Sequence, residues 1–204
     1  MKIILVRHGE TLWNALGKLQ GREDVPLSET GRQQAKAAGQ ALSHYPFSGQ
    51  GPVICSSPLQ RAKQTAELIA KELQATTAIG SDEVLLERDY GLAAGLTRQE
   101  REKLYPTDEF PGLEDRGEAQ RRIVQGITRL AVETKGRDLL LVSHGEISHI
   151  FLAYLRGEAT RTGRSALQNA SISTLSFDEK QGFQIEYYNK SAAELTEILQ
   201  KREK

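Results

Sequence analysis

Ile3-Ile4-Leu5-Val6-Arg7-His8-Gly9-Glu10-Thr11 is the stretch from which the fold can be read. Four apolar, mostly β-branched residues run without interruption, which predicts a strand buried on both faces of a mostly parallel sheet. The run stops at Arg7, His8 and Gly9, and open α/β sheets place their ligands at the carboxyl ends of strands. An arginine beside a histidine, followed by a glycine that admits close backbone approach, can grip a phosphoryl group and attack it. Taken alone, the triplet fits an ordinary surface loop equally well. The rest of the chain has to discriminate.

A second apolar run ends in the same way: Asp138-Leu139-Leu140-Leu141-Val142 leads into Ser143-His144-Gly145. Between the two, Val53-Ile54-Cys55 predicts a further strand, closed by Ser56-Ser57-Pro58, with Ser57 capping a helix that begins at Pro58 and runs to about Leu73. That helix would point its amino terminus at the rim carrying His8. Arg61 in its first turn is unfavourable for the helix itself, which suggests an anionic partner outside it. Helices are expected over about 29–44, 97–104 and 118–134, and from near Glu146. His44 falls in a last turn and His149 within a helix, where bland roles outweigh catalytic ones. Short strands are expected at 76–79 and 84–86 around a turn at 80–82. A hairpin over 171–188 and a terminal helix after Ser191 complete the chain.

With 204 residues, 27 basic and 27 acidic, the chain has the length of one domain and no net charge. No whole-molecule field holds nucleic acid, so anion binding must come from local clusters. Cys55 is the single cysteine, which leaves no intramolecular disulfide. No signal-peptide run and no span of membrane length is present, so the expectation is a cytoplasmic protein with no membrane partner. Nothing in the sequence sets an oligomeric state. The expected architecture is a single α/β domain over 1–204: a central, mostly parallel sheet flanked by helices, with an irregular specificity segment at about 88–122.

The two His-Gly pairs lack the spacing of a zinc set, and no nucleotide loop or Gly-x-Ser-x-Gly elbow occurs. That leaves histidine as the nucleophile, with no metal and no cofactor expected. In order, Arg7-His8-Gly9-Glu10-Thr11 with Asn14, Pro26-Leu27-Ser28 to Gly31, Ser56-Ser57-Pro58-Leu59-Gln60-Arg61-Ala62 with Thr65-Ala66, Glu87, Gly91 and Gly95, and Ser143-His144-Gly145 resemble the histidine phosphatase, or phosphoglycerate mutase-like, superfamily over essentially the full length.

The resemblance implies a three-layer α/β/α fold and a small-molecule phosphate ester as substrate. It implies that His8 is phosphorylated during turnover, and that Arg7, Arg61 and His144 surround the phosphoryl oxygens, with Gly145 beside them. Asn14 and the Gln20-Gly21 loop would assist, and Glu87 would protonate the leaving oxygen. The chemistry agrees, because phosphoryl transfer needs neutralised equatorial oxygens and in-line geometry. A neutral His8 must present one ring nitrogen, so the other should donate to a fixed acceptor.

The resemblance also opens a fork. Bisphosphate-dependent mutases carry a longer segment between the acid and the second histidine, so the short one here favours water as acceptor and a metal-independent phosphomonoesterase. Glu87-Arg88-x-Tyr90-Gly91, in contrast, resembles the mutase pattern. A non-catalytic phospho-ligand or protein-binding module is the third reading, and the complete set Arg7, His8, Arg61, Glu87, His144 speaks against it. Among Arg22, Arg88, Arg98, Arg101, Lys103, Arg121 and Arg122, the first two adjoin the motifs and are expected to bind a second anionic group of the substrate.

Overall fold

The computed structural model describes residues 1–49, 51–107, 109–158 and 167–202. In chain order the elements are β1 (Lys2–Arg7), α1 (Leu12–Ala15), α2 (Glu29–Ser43), β2 (Val53–Ser56), α3 (Gln60–Glu72), β3 (Gly80–Ser81), α4 (Arg98–Leu104), α5 (Arg116–Glu133), β4 (Leu139–Ser143), α6 (Gly145–Leu155), β5 (Ile172–Asp178), β6 (Gly182–Lys190) and α7 (Ala192–Arg202). Two short 3-10 turns, Glu83–Leu85 and Gly91–Ala93, lie between β3 and α4.

The strands form one sheet in the order β3-β2-β4-β1-β5-β6. The first four run parallel, and the β5–β6 hairpin adds antiparallel to β1. The two strands that end in His-Gly are therefore central neighbours, in register with Arg7 opposite Ser143. Strand alternation divides their side chains between two cores. Ile3, Leu5, Leu139 and Leu141 face Ile123, Ile127, Ile147 and Phe151 of α5 and α6. Ile4, Val6, Leu140 and Val142 face Ala38, Leu42, Ala66, Ile69 and Leu195 of α2, α3 and α7. Uninterrupted hydrophobicity is what a strand covered on both faces requires.

Several local expectations are corrected. Residues 76–79 form no strand; the expected turn Gly80-Ser81 is β3, paired with Cys55 and Ser56, and the expected strand at 84–86 is a 3-10 turn that Asp82 caps by accepting from Val84 N at 3.0 Å. The two apolar residues at 84–85 are inward all the same, since Leu85 and Val84 both pack into the α5/α6 core. α3 starts at Gln60, not Pro58, and its N-cap Leu59 makes no side-chain cap bond. α2 is capped by Ser28, whose hydroxyl accepts from Gly31 N at 3.0 Å, and α5 begins at Arg116 under an Asp115 cap. Gln50 and the last two residues of the expected terminal helix lie outside the described residues.

Two glycines lock the first loop onto α2. A Cβ on Gly31 would stand 2.0 Å from Glu10 O, and one on Gly9 would stand 2.3 Å from Gly31 O. The 88–122 segment has a small core of its own: Tyr90, Ala93 and Phe110, with Leu19, Leu96, Tyr105 and Leu113 packed against it. Leu19 N donates to Leu96 O at 3.0 Å and Gly95 N to Leu19 O at 2.8 Å, so this core is tied to the loop that follows α1.

Candidate active site

Because β1 and β4 end side by side, the loops leaving them bring the two histidines together, with ring centroids 5.2 Å apart. A cavity of about 120 Å³ opens there. Its wall includes Arg7, His8, Asn14, Gln20, Gly21, Arg61, Glu87 and Gly145, all expected from sequence, together with Lys18, Leu19, Tyr90 and Glu146. A larger cavity of about 670 Å³ lies under the β2–β3 edge, lined by Cys55, Asp82 and Arg129 among others, and contains neither histidine.

His8 is buried, and its Nδ1 lies 2.6 Å from Gly9 O. A carbonyl only accepts, so Nδ1 carries the proton and Nε2 keeps a lone pair. Burial first, then Arg61 and Arg7, push the imidazole well below the ordinary histidine range, against the opposing Gly9 bond. His144 has the opposite tautomer. Arg61 Nε donates to its Nδ1 at 3.1 Å, so Nε2 is protonated and donates to Ser57 Oγ at 2.7 Å. Both of its nitrogens are thus engaged, and His144 stands behind the cavity wall rather than in it. It too is held well below its ordinary range, by burial, then Arg61, His8 and Arg7. The Ser57 hydroxyl expected to cap α3 is spent chiefly on this contact.

Arg61 is fully buried, and its planar fork organises three groups at once. Besides His144, Nη1 donates to Glu23 O at 2.6 Å and Nη2 to Gly21 O at 2.7 Å. Burial lowers its pKa to about 10, which leaves it cationic at neutral pH. Arg7 donates through Nη1 to Leu167 O. Asn14 Oδ1 accepts from Thr11 N at 3.1 Å and from Asn169 Nδ2 at 3.2 Å, and Gln20 Oε1 accepts from the Thr11 hydroxyl at 2.9 Å. With both amide oxygens occupied, the amide nitrogens are the groups left for the cavity.

Glu87 is 8% exposed. Its Oε1 accepts from Arg88 N and Ile147 N, each at 2.9 Å, and its Oε2 from Glu146 N at 3.1 Å. The carboxyl therefore caps the amino end of α6 from a distant part of the chain. Burial raises its pKa, and Glu146 adds to this; the three backbone donors oppose it. The amino end of α3 is likewise taken by a carboxylate, with Gln60 N donating to Asp24 Oδ1 at 2.6 Å. Neither helix end at the rim is an empty anion site.

Arg22 and Arg88 lie outside the cavity. Glu114 draws both away: Arg88 Nε donates to Glu114 O at 2.9 Å, and Arg22 stands 3.5 Å from Glu114 and 3.8 Å from Asp89. Arg122 completes this hub with two 3.0 Å bonds to Glu114 and two 2.9 Å bonds to the carbonyls of Val84 and Leu86. Sequence reading missed Lys18, Glu146 and Asn169. Only Glu146 carried a signal, its place directly after His144-Gly145. Among the described residues, no three His, Cys, Asp or Glu side chains are grouped to hold a metal ion. No helix among them is long and apolar enough to cross a membrane.

The family model for the histidine phosphatase superfamily (branch 1) matches residues 3–191. An uncharacterized phosphatase, PhoE, of Bacillus subtilis is 35% identical over 187 residues, 92% of this chain and 93% of its own length. A protein of Salmonella choleraesuis named as a probable phosphoglycerate mutase, GpmB, is 33% identical over 193 residues, 89% of this chain and 87% of its own. Among solved structures, a mutant phosphoserine phosphatase from Entamoeba histolytica in complex with phosphoserine superposes with a TM-score of 0.75 at 26% identity, covering 93% of this chain and 96% of that one.

Proposed function

This chain belongs to the histidine phosphatase superfamily (branch 1), and from that premise we propose that it hydrolyses small anionic phosphate monoesters through a phosphohistidine formed on His8. The observation that carries the proposal is the His8 ring. Nδ1 is committed to Gly9 O, so Nε2 offers its lone pair into a cavity walled by two arginines and a carboxyl.

In the proposed reaction Nε2 attacks phosphorus and the ester P–O bond breaks, while Glu87 gives its proton to the departing oxygen. Arg7 and Arg61 neutralise the equatorial oxygens, and the free amide nitrogens of Asn14 and Gln20 are placed to donate to them. Water then attacks phospho-His8 and Glu87 takes the proton back. The depressed basicity of His8 keeps it a neutral nucleophile, and the raised pKa of Glu87 favours its acid form. His144 acts from behind, since its Nδ1 fixes Arg61.

The test is a panel of phosphomonoesters in the presence of a chelator, with alkali-quenched mass spectrometry for an acid-labile phosphate on the peptide containing His8. Turnover with a trapped adduct that disappears in His8→Ala supports the proposal; full turnover in that variant refutes it. The likeness to GpmB and the Glu87-Arg88-x-Tyr90-Gly91 run favour a second reading, phosphoryl transfer between phosphoglycerates. Adding 3-phosphoglycerate with 2,3-bisphosphoglycerate separates the two: isomer formation outrunning phosphate release makes the chain a mutase.

A further inference from the structure

The carbonyl that fixes the His8 ring is itself held from behind. Gly9 O, which lies 2.6 Å from His8 Nδ1, and Glu10 N belong to one peptide unit. No described peptide bond is cis, so the C=O and the N–H of that unit point in opposite directions. Glu10 N donates to Gln34 Oε1 of α2 at 2.9 Å. A backbone N–H only donates, so the oxygen of the Gln34 amide, and not its nitrogen, meets it. Two hydrogen bonds thus run through a single amide, from Gln34 Oε1 to Glu10 N–H and from Gly9 O to His8 Nδ1–H. Bonds linked in this way polarise one another, each strengthened by about 10–30%. Gln34 is half-buried, and its side chain makes no other hydrogen bond among the described residues.

The loop has other anchors. Glu10 O accepts from Ser28 N at 2.9 Å, and Gly9 N donates to Thr65 Oγ1 at 3.1 Å, while Gly9 and Gly31 leave no room for a Cβ between them. What Gln34 adds is acceptor strength at Gly9 O. When Nε2 attacks phosphorus, the Nε2–P bond forms as the ester P–O bond breaks, and the Nδ1 proton stays on the ring. The imidazole then becomes cationic, Nδ1–H becomes a stronger donor, and its bond to Gly9 O strengthens. An interaction that strengthens between ground state and transition state lowers the barrier. We infer that Gln34 is a positioning residue for His8: it polarises the Gly9–Glu10 peptide, whose carbonyl holds Nδ1–H and stabilises the charge that builds on the ring as Nε2 is phosphorylated. The inference rests on the proposed phosphorylation of His8, and it adds a helix, α2, that supplies no group to the cavity wall.

The experiment uses Gln34→Met, which keeps the side-chain length without the amide acceptor, and Gln34→Glu, which restores an acceptor. Single-turnover reaction with p-nitrophenyl phosphate, quenched in alkali, gives the rate at which phospho-His8 forms, and its disappearance after the substrate is removed gives the rate of hydrolysis. Formation should slow about tenfold in Gln34→Met, the scale of one hydrogen bond. Hydrolysis should be no slower than in the wild type, because the phosphorylated ring has lost stabilisation. Gln34→Glu should restore formation to within about threefold of the wild type. The proton resonance of His8 Nδ1–H is the second readout: weaker bonding moves it upfield in Gln34→Met, and the charged acceptor moves it downfield in Gln34→Glu. Unchanged formation in Gln34→Met refutes the assignment, and so does an equal slowing of both steps, which is the mark of a loop support. If Gln34→Met does not fold, Gln34→Glu decides, and an unmoved resonance refutes the assignment. If the wild type forms no phospho-His8, the phosphohistidine reading fails by itself, and the same resonance decides whether Gln34 polarises the peptide.

Discussion

Replacing Arg61 by lysine separates charge from geometry at the centre of the site. The cation is kept, but the fork that holds His144 Nδ1, Glu23 O and Gly21 O at 3.1, 2.6 and 2.7 Å is lost. A lysine ammonium is a point donor on a stem of different reach, and at this buried position it can replace one of the three bonds. Bonds from a charged donor contribute about 1.5–3 kcal/mol each, and buried acceptors left empty add to the loss. Two lost bonds alone predict about 3–6 kcal/mol, reduced at the upper end to about 3–5 kcal/mol because the 20–23 loop can turn its carbonyls to water. For a chain of this size that corresponds to a fall in Tm of roughly 6–20 °C. Because the same bonds shape the cradle around Gln20 and Gly21, kcat/KM should fall by about 10³-fold, more than removal of a single preorganised donor costs at the low end. The assays are calorimetric melting and steady-state hydrolysis of p-nitrophenyl phosphate. A variant with unchanged Tm and activity within tenfold of the wild type refutes the view that the fork, rather than the charge, organises the site.

Other consequences are open to the same methods. Gly31→Ala places a Cβ 2.0 Å from Glu10 O, against backbone that cannot yield cheaply. The overlap outweighs the helix propensity that alanine adds, so a net loss of about 2 kcal/mol is expected, and a Tm at or above that of the wild type refutes the lock. His8 and His144 both have folded pKa values below 6.5. The unfolded chain therefore takes up protons first, and stability present above pH 6.5 is lost as pH falls towards the depressed values. The slope approaches about 1.4 kcal/mol per pH unit for each histidine. Urea unfolding at pH 7.5, 6.5 and 5.5 checks this, and a flat profile contradicts the neutral assignment. Glu87→Gln should depress hydrolysis of an alkyl phosphate at least 10²-fold more than that of p-nitrophenyl phosphate, whose leaving group needs no proton; equal losses remove Glu87 from the acid role.

The short-range signals in this chain were reliable where burial alone decides. Ile3 to Val6 and Leu139 to Val142 are apolar at every position, and only a strand covered on both faces uses such a run. The sequence by itself therefore determined the two central strands and the Arg7-His8 and Ser143-His144 junctions at their ends. It misread 76–86, where the β-branched Thr76, Thr77, Ile79 and Val84 suggested two strands. Pairing depends on the partner edge, and β2 offers only Cys55 and Ser56 to Gly80 and Ser81.

The three-dimensional structure decided which way each polar side chain turns, because that depends on groups far away in sequence. Glu114 draws Arg22 and Arg88 out of the site that their sequence neighbours suggested. His144 takes the Ser57 hydroxyl from α3. Glu87 caps a helix that begins 58 residues later, accepting from the backbone N–H groups of Glu146 and Ile147. Hydrophobic pattern is a property of the residues themselves, whereas a hydrogen bond is a property of a pair. The sequence could name candidate side chains, but only the folded chain could show which of them stand together and which donors and acceptors are already engaged.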